Sequence, residues 1–93
     1  MIDRNKDIVE WAILGHLLHE GREHLDDLLK KFDKDDFDET EFAVRLSHIY
    51  AHLNQTWNGR NKKGDWSDAD YETFRQYPSD LQPDGPWPPP SET

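Results

Sequence analysis

Apolar side chains recur at helical spacing from Ile8 onward. Trp11, Leu18, Leu25 and Phe32 stand seven residues apart, and Leu14, Gly21 and Leu28 fall three residues after the first three of them. Such a seam marks a helix packed lengthwise on another helix. It predicts a first helix over residues 7–32. Between Ile8 and Leu18 the apolar groups surround most of the helix axis, more than one partner helix can cover. From Glu20 to Lys31 the pattern is one-sided again. Gly21 costs a helix interior roughly 1 kcal/mol relative to Ala, so a kink, a close crossing or a break is expected there.

The polar run Lys34 to Asp38 reads as a turn. Asp36 or Asp38 can cap the helix that follows, Glu39 and Glu41 suit its positive first turn, and Phe37 is placed as a hydrophobic staple. The second helix is predicted over 38–58, with Phe42, Leu46, Ile49, Leu53 and Trp57 as its stripe, Tyr50 beside it, and Asn58-Gly59 as its stop. A short linker makes the two helices antiparallel neighbours. Ser67 to Asp70 resembles a capping box, which predicts a third helix over about 68–76 with Tyr71 and Phe74 on one face. From Pro83 to Pro90 the chain is proline-rich and carries no helix or strand signal.

The expected fold is therefore all-α: an antiparallel helical hairpin, a short third helix, and an irregular proline-rich C-terminal wrap or tail. Residues 1–78 form the helical domain and 79–93 the tail. The expected core is Leu18, Leu25, Leu28, Phe32, Phe42, Leu46, Ile49, Leu53 and Trp57.

Charge narrows the classes of partner. Twenty acids against eleven bases give a net charge of −9 over 93 residues. That balance repels nucleic acid and anionic lipid, and it suits a basic protein. The chain has no cysteine, and Met1 to Asp7 is too polar for a secretory signal, so the cytoplasm is expected. The longest apolar stretch falls far short of the ~20 residues a membrane span needs.

Candidate chemistry is sparse. No cysteine nucleophile, glycine-rich phosphate loop or placed carboxylate pair is present, so neither an enzyme nor a cofactor is expected. The run Asp33 to Asp38 fails the pattern of a calcium loop, because Phe37 occupies a ligand position and Val44 stands where the bidentate Glu belongs. His48 and His52 stand four residues apart, as do His16 and Glu20, so facing helices could offer His16, Glu20, His48 and His52 to a metal ion. Against this, His16 and Glu20 lie roughly opposite Leu18, and His48 and His52 lie off the Leu46–Leu53–Trp57 stripe. Histidines on solvated helix faces are the simpler reading.

Two sets of residues point to contacts. Asn54, Asn58 and Arg60 form either a recognition patch for a partner or an internal tether for the segment carrying Trp66 and Tyr71. Ile13 and Leu17 lie on the all-round apolar half of the first helix, where a second copy could complete a four-helix bundle as a homodimer; the alternative is a monomer closed by its own tail. The leading function is a small acidic non-enzymatic interaction or regulatory protein, such as an inhibitor or a mimic of nucleic-acid charge that binds a basic partner. The alternative is a metal-binding helical protein using His and Glu on facing helices.

Overall fold

A computed structural model describes residues 1–82. It holds three helices, α1 (Ile8–Phe32), α2 (Glu39–Asn58) and α3 (Asp68–Phe74), and among the described residues there is no strand. The first two form an antiparallel hairpin, and α3 packs on α2. The proline-rich segment expected from Pro83 onward lies outside the described residues.

Local chemistry sets the ends of the helices. The Asp38 side chain accepts a hydrogen bond from the Glu41 amide and so caps α2. Phe37, just before that cap, packs on Phe42 at 5.7 Å and on Phe32 at 5.6 Å between ring centroids. This hydrophobic staple sets the angle at which the chain enters α2. Ser67 and Asp70 form a reciprocal capping box at the start of α3. Gly64 takes a left-handed φ of 82°, which suits glycine, and its amide donates to Glu10 on α1.

Gly59 ends α2 for a reason other than backbone freedom. Its φ is −89°, open to any residue, but the Trp66 ring lies so close to its Cα that a Cβ would collide with it. The same Trp66 ring packs on Tyr71 and Phe74, each at 5.0 Å, and so seats α3. α1 runs unbroken through Gly21, which is buried opposite His52 and Leu53; of the three expectations there, the close crossing is the one observed.

The interior differs from the predicted one. The buried apolar residues are Ile2, Leu14, Leu17, Leu28 and Ile49. Only Leu28 and Ile49 belong to the expected core. Leu46 and Trp57 are half-buried, while Leu18, Leu25, Phe32, Phe42 and Leu53 are exposed. The reason is a choice of face. α1 turns the run Leu14, Leu17, Gly21, His24 and Leu28 toward α2, and the Trp11–Leu18–Leu25 run points sideways, while Phe32 at its end packs on Phe37 and Phe42. The chosen run sets small Gly21 against α2, which lets the helices approach closely. Ile2 plugs the open end of the hairpin, where its amide donates to the Arg60 carbonyl at 2.8 Å.

Candidate functional site

The hairpin offers three distinct surfaces. On one face, Val9, Ile13, His16, Glu20, His52 and Tyr71 line an open groove of about 540 Å³. Glu20 is its hub: Oε1 stands 2.6 Å from His16 Nε2, and Oε2 stands 3.4 Å from His52 Nδ1. Toward the turn, His24 stacks on His52 at 5.0 Å with nearly parallel rings and lies 5.6 Å from His48. Four imidazoles and one carboxylate thus form a continuous ladder across α1 and α2.

That convergence corrects the helical-wheel expectation. A contact centred on Leu18 in α1 and on the Leu46–Leu53–Trp57 stripe in α2 would turn Glu20 and His52 away from it. With the Leu14–Leu17–Gly21–His24 run facing α2 instead, both flank the contact line. His24, four residues after Glu20 and so at the same spacing as His16 and Glu20, stands seven residues after Leu17, on the same run. Among the described residues, no three His, Asp or Glu side chains are arranged to hold a metal ion. His52 Nδ1 is buried and lacks a hydrogen-bond partner, with Glu20 Oε2 3.4 Å away. Burial holds its pKa below the usual 6.5; Glu20 and a Gln55 side-chain contact oppose that shift, and His24 and His48 add to it.

Residues expected at partner surfaces are in part used internally. Leu17 is only 4% exposed, packed against α2, and so is withdrawn from any contact surface; Ile13 is half-buried in the histidine groove. Asn54 donates to the Arg75 carbonyl, and Asn58 donates to the carbonyls of both Phe74 and Gln76. Gln55 donates to the Tyr71 carbonyl. Of the two expectations for these amides, the contacts form the tether. Arg60 lies 3.8 Å over the Trp57 ring, and its guanidinium reaches Asp80 at 3.0 Å. Trp57 Nε1 donates to the other Asp80 oxygen at 2.9 Å. Those two bonds, Trp57 first, hold the Asp80 carboxyl below its usual pKa.

The second surface is the closed end of the hairpin. From Glu23 to Glu39 stand eight acids and three lysines, a net −5 of the chain's −9. Among the described residues none of these acids is in an ion pair. At the open end, by contrast, Asp7, Asp70, Glu72 and Asp80 each face a Lys or Arg. The third surface is the face opposite the histidines, where Trp11, Leu18, Leu25 and Leu29 stand exposed.

Comparison with protein-family models, with curated proteins and with solved structures finds no match. No helix among the described residues is long and apolar enough to cross a membrane.

Proposed function

We propose that this chain is a non-enzymatic interaction protein that presents its acidic hairpin tip to a basic protein partner. The observation that supports this is the uneven use of charge. Asp7, Asp70, Glu72 and Asp80 at the open end are paired with Lys or Arg, while among the described residues no acid between Glu23 and Glu39, a stretch of net −5, is in an ion pair. Uncompensated charge on a projecting turn steers a basic partner and raises its rate of encounter. A regulator or inhibitor that occupies the nucleic-acid site of a basic protein is one form of this function. The cytoplasm is the compartment this reading assigns.

The test is affinity capture with the intact chain and with Asp33→Asn/Asp35→Asn/Asp36→Asn. The expected partner is basic, elutes with salt, and is lost from the triple variant. A partner held equally by both chains, or insensitive to salt, would refute the acidic tip as the contact. Competition by duplex DNA for the captured protein separates charge mimicry from other acidic contacts.

A second reading is favoured by one observation, the gathering of His16, Glu20, His24, His48 and His52 on one face. It makes the chain a metal-binding protein whose imidazoles turn toward a common ion. Zinc should then raise the thermal midpoint saturably, and His48→Ala should abolish the rise. An unchanged midpoint at millimolar zinc disposes of this reading.

A further inference from the structure

We infer that two copies of this chain pack face to face into a four-helix bundle through the apolar face centred on Leu18 and Leu25 of α1 and Leu46 and Leu53 of α2. The inference is independent of the acidic-tip reading and rests on a different surface.

α1 carries two apolar runs with the same alternating steps of three and four residues. The first, Leu14 to Leu28, faces α2 and is buried. The second extends from Ile8 to Phe32 through Trp11, Leu18, Leu25 and Leu29. Its members are exposed: Leu18 by 50%, Leu25 by 45% and Leu29 by 62%. At 100° per residue, the mean directions of the two runs differ by roughly 90°. α2 repeats the device. One run, from Phe42 through Ile49 and His52, faces α1, and a second, from Ala43 through Leu46 and Trp57, is displaced to one side of it, with Leu53 between the two, against Gly21 and still 43% exposed. In a four-helix bundle of square section, each helix touches two neighbours in directions roughly 90° apart. Among the described residues each helix has one neighbour along its full length, α3 lying against the far side of α2, and an apolar run aimed beside that neighbour.

Both second runs open on the same side. In an antiparallel pair of right-handed helices, residues displaced in the same angular sense from the contact line share a face of the pair. Ile13, Glu20, His52 and Gln55 are displaced in the opposite sense and share the histidine groove, as this rule requires. The two second runs therefore merge into one continuous surface.

Its size and charge fit a second copy. A helix of 25 residues beside one of 20, each about 10 Å wide, presents roughly 600–750 Å². Stable interfaces bury about 800 Å² per partner. Acids dominate the chain, yet these two runs carry a single charge, Arg22 in α1. Two chains of net charge −9 can meet only where their acids are absent, and this face is such a place. Arg22 lies toward its outer margin and reaches His19 at 3.3 Å. Tyr77 already lies beside Tyr50 at 5.7 Å, on the α2 margin, and residues 83–93 bring one large apolar side chain, Trp87.

Sedimentation equilibrium of the full chain at tens of micromolar tests the inference. The expected mass is twice the 11.0 kDa of one chain. Leu18→Glu/Leu25→Glu should weaken association by about 100-fold or more, the outcome of burying unpaired charge at an interface centre. Ile13→Glu, on the histidine face, should leave the mass doubled. If the double variant also loses helicity, the wild-type thermal midpoint still decides: it rises with concentration for a dimer and is flat for a monomer. A full chain that stays at 11.0 kDa overturns the inference, whether residues 83–93 cover the face or a different protein does. So does a doubled mass that survives Leu18→Glu/Leu25→Glu. Neither result bears on capture of a basic partner by the acidic tip.

Discussion

Glu20 of α1 and His52 of α2 meet across the hairpin at 3.4 Å, in a contact that leaves His52 Nδ1 buried and without a hydrogen bond. The ring is thus held in a place better suited to its neutral form. Desolvation dominates over the attraction of Glu20, and His24 and His48 stand close enough to oppose a further positive charge.

A pH dependence follows from that balance. The folded pKa of His52 lies below the 6.5 of the unfolded chain, so the unfolded state binds the proton more tightly. This contribution to stability is full above pH 6.5 and is lost as pH falls below it toward the folded pKa. The urea midpoint should drop between pH 7 and pH 5, and His52→Gln should flatten that drop. An identical slope in the variant would show that other groups carry it.

Gly21→Ala should stabilise the chain. A Cβ at Gly21 would meet His52 Cβ at 3.7 Å and Leu53 Cδ2 at 3.8 Å, ordinary contact distances. With no clash to offset it, the gain in helix propensity is roughly 0.5–1 kcal/mol. Chemical denaturation measures it, and a loss of stability would mean that α2 sits closer to α1 than these distances allow.

Gly59→Ala should do the reverse. Its Cβ would strike the Trp66 ring and stand 2.9 Å from the Gln55 carbonyl oxygen. Either Trp66 leaves its seat or the end of α2 shifts, at a cost of about 1–3 kcal/mol. Trp66 also anchors α3 through Tyr71 and Phe74, so amide exchange across Asp68–Phe74 should accelerate. Unchanged exchange there would separate Trp66 packing from α3 docking.

Asn58→Ala should release the same helix from the other side. One amide nitrogen donates to the Phe74 carbonyl at 2.8 Å and to the Gln76 carbonyl at 2.7 Å. Losing both bonds costs roughly 1–3 kcal/mol. Asn58→Asp keeps the shape but sets a carboxylate against two carbonyl oxygens, and it should destabilise at least as much as Ala. Recovery of wild-type stability by Asp would exclude the hydrogen bonds as the cause.

The sequence alone determined the elements of this protein and most of their ends. α1 and α2 were expected to begin one residue earlier than they do, and α3 to end two residues later. The Asp38 cap, the Phe37 staple and the Ser67–Asp70 box each join residues three to five positions apart, so the chemistry that sets an end is written beside it. Gly59 was read as a stop, but its reason, the Trp66 ring, comes from seven residues away in another segment.

Only the tertiary structure decided which face of each helix turns inward. Two apolar runs of equal spacing lie on α1, and periodicity cannot rank them, because the choice depends on what α2 sets opposite. Gly21 against His52 and Leu53 admits a close approach along the Leu14–Leu17–Leu28 run, and that rotation fixed everything downstream. It buried Leu17, left Leu18 and Leu25 outside, and swung Glu20 and His24 to the edge of α2, where they meet His48 and His52. A rotation of about a quarter turn leaves every local helix signal unchanged while exchanging core for surface, since helix formation depends on neighbours in sequence and burial on neighbours in space.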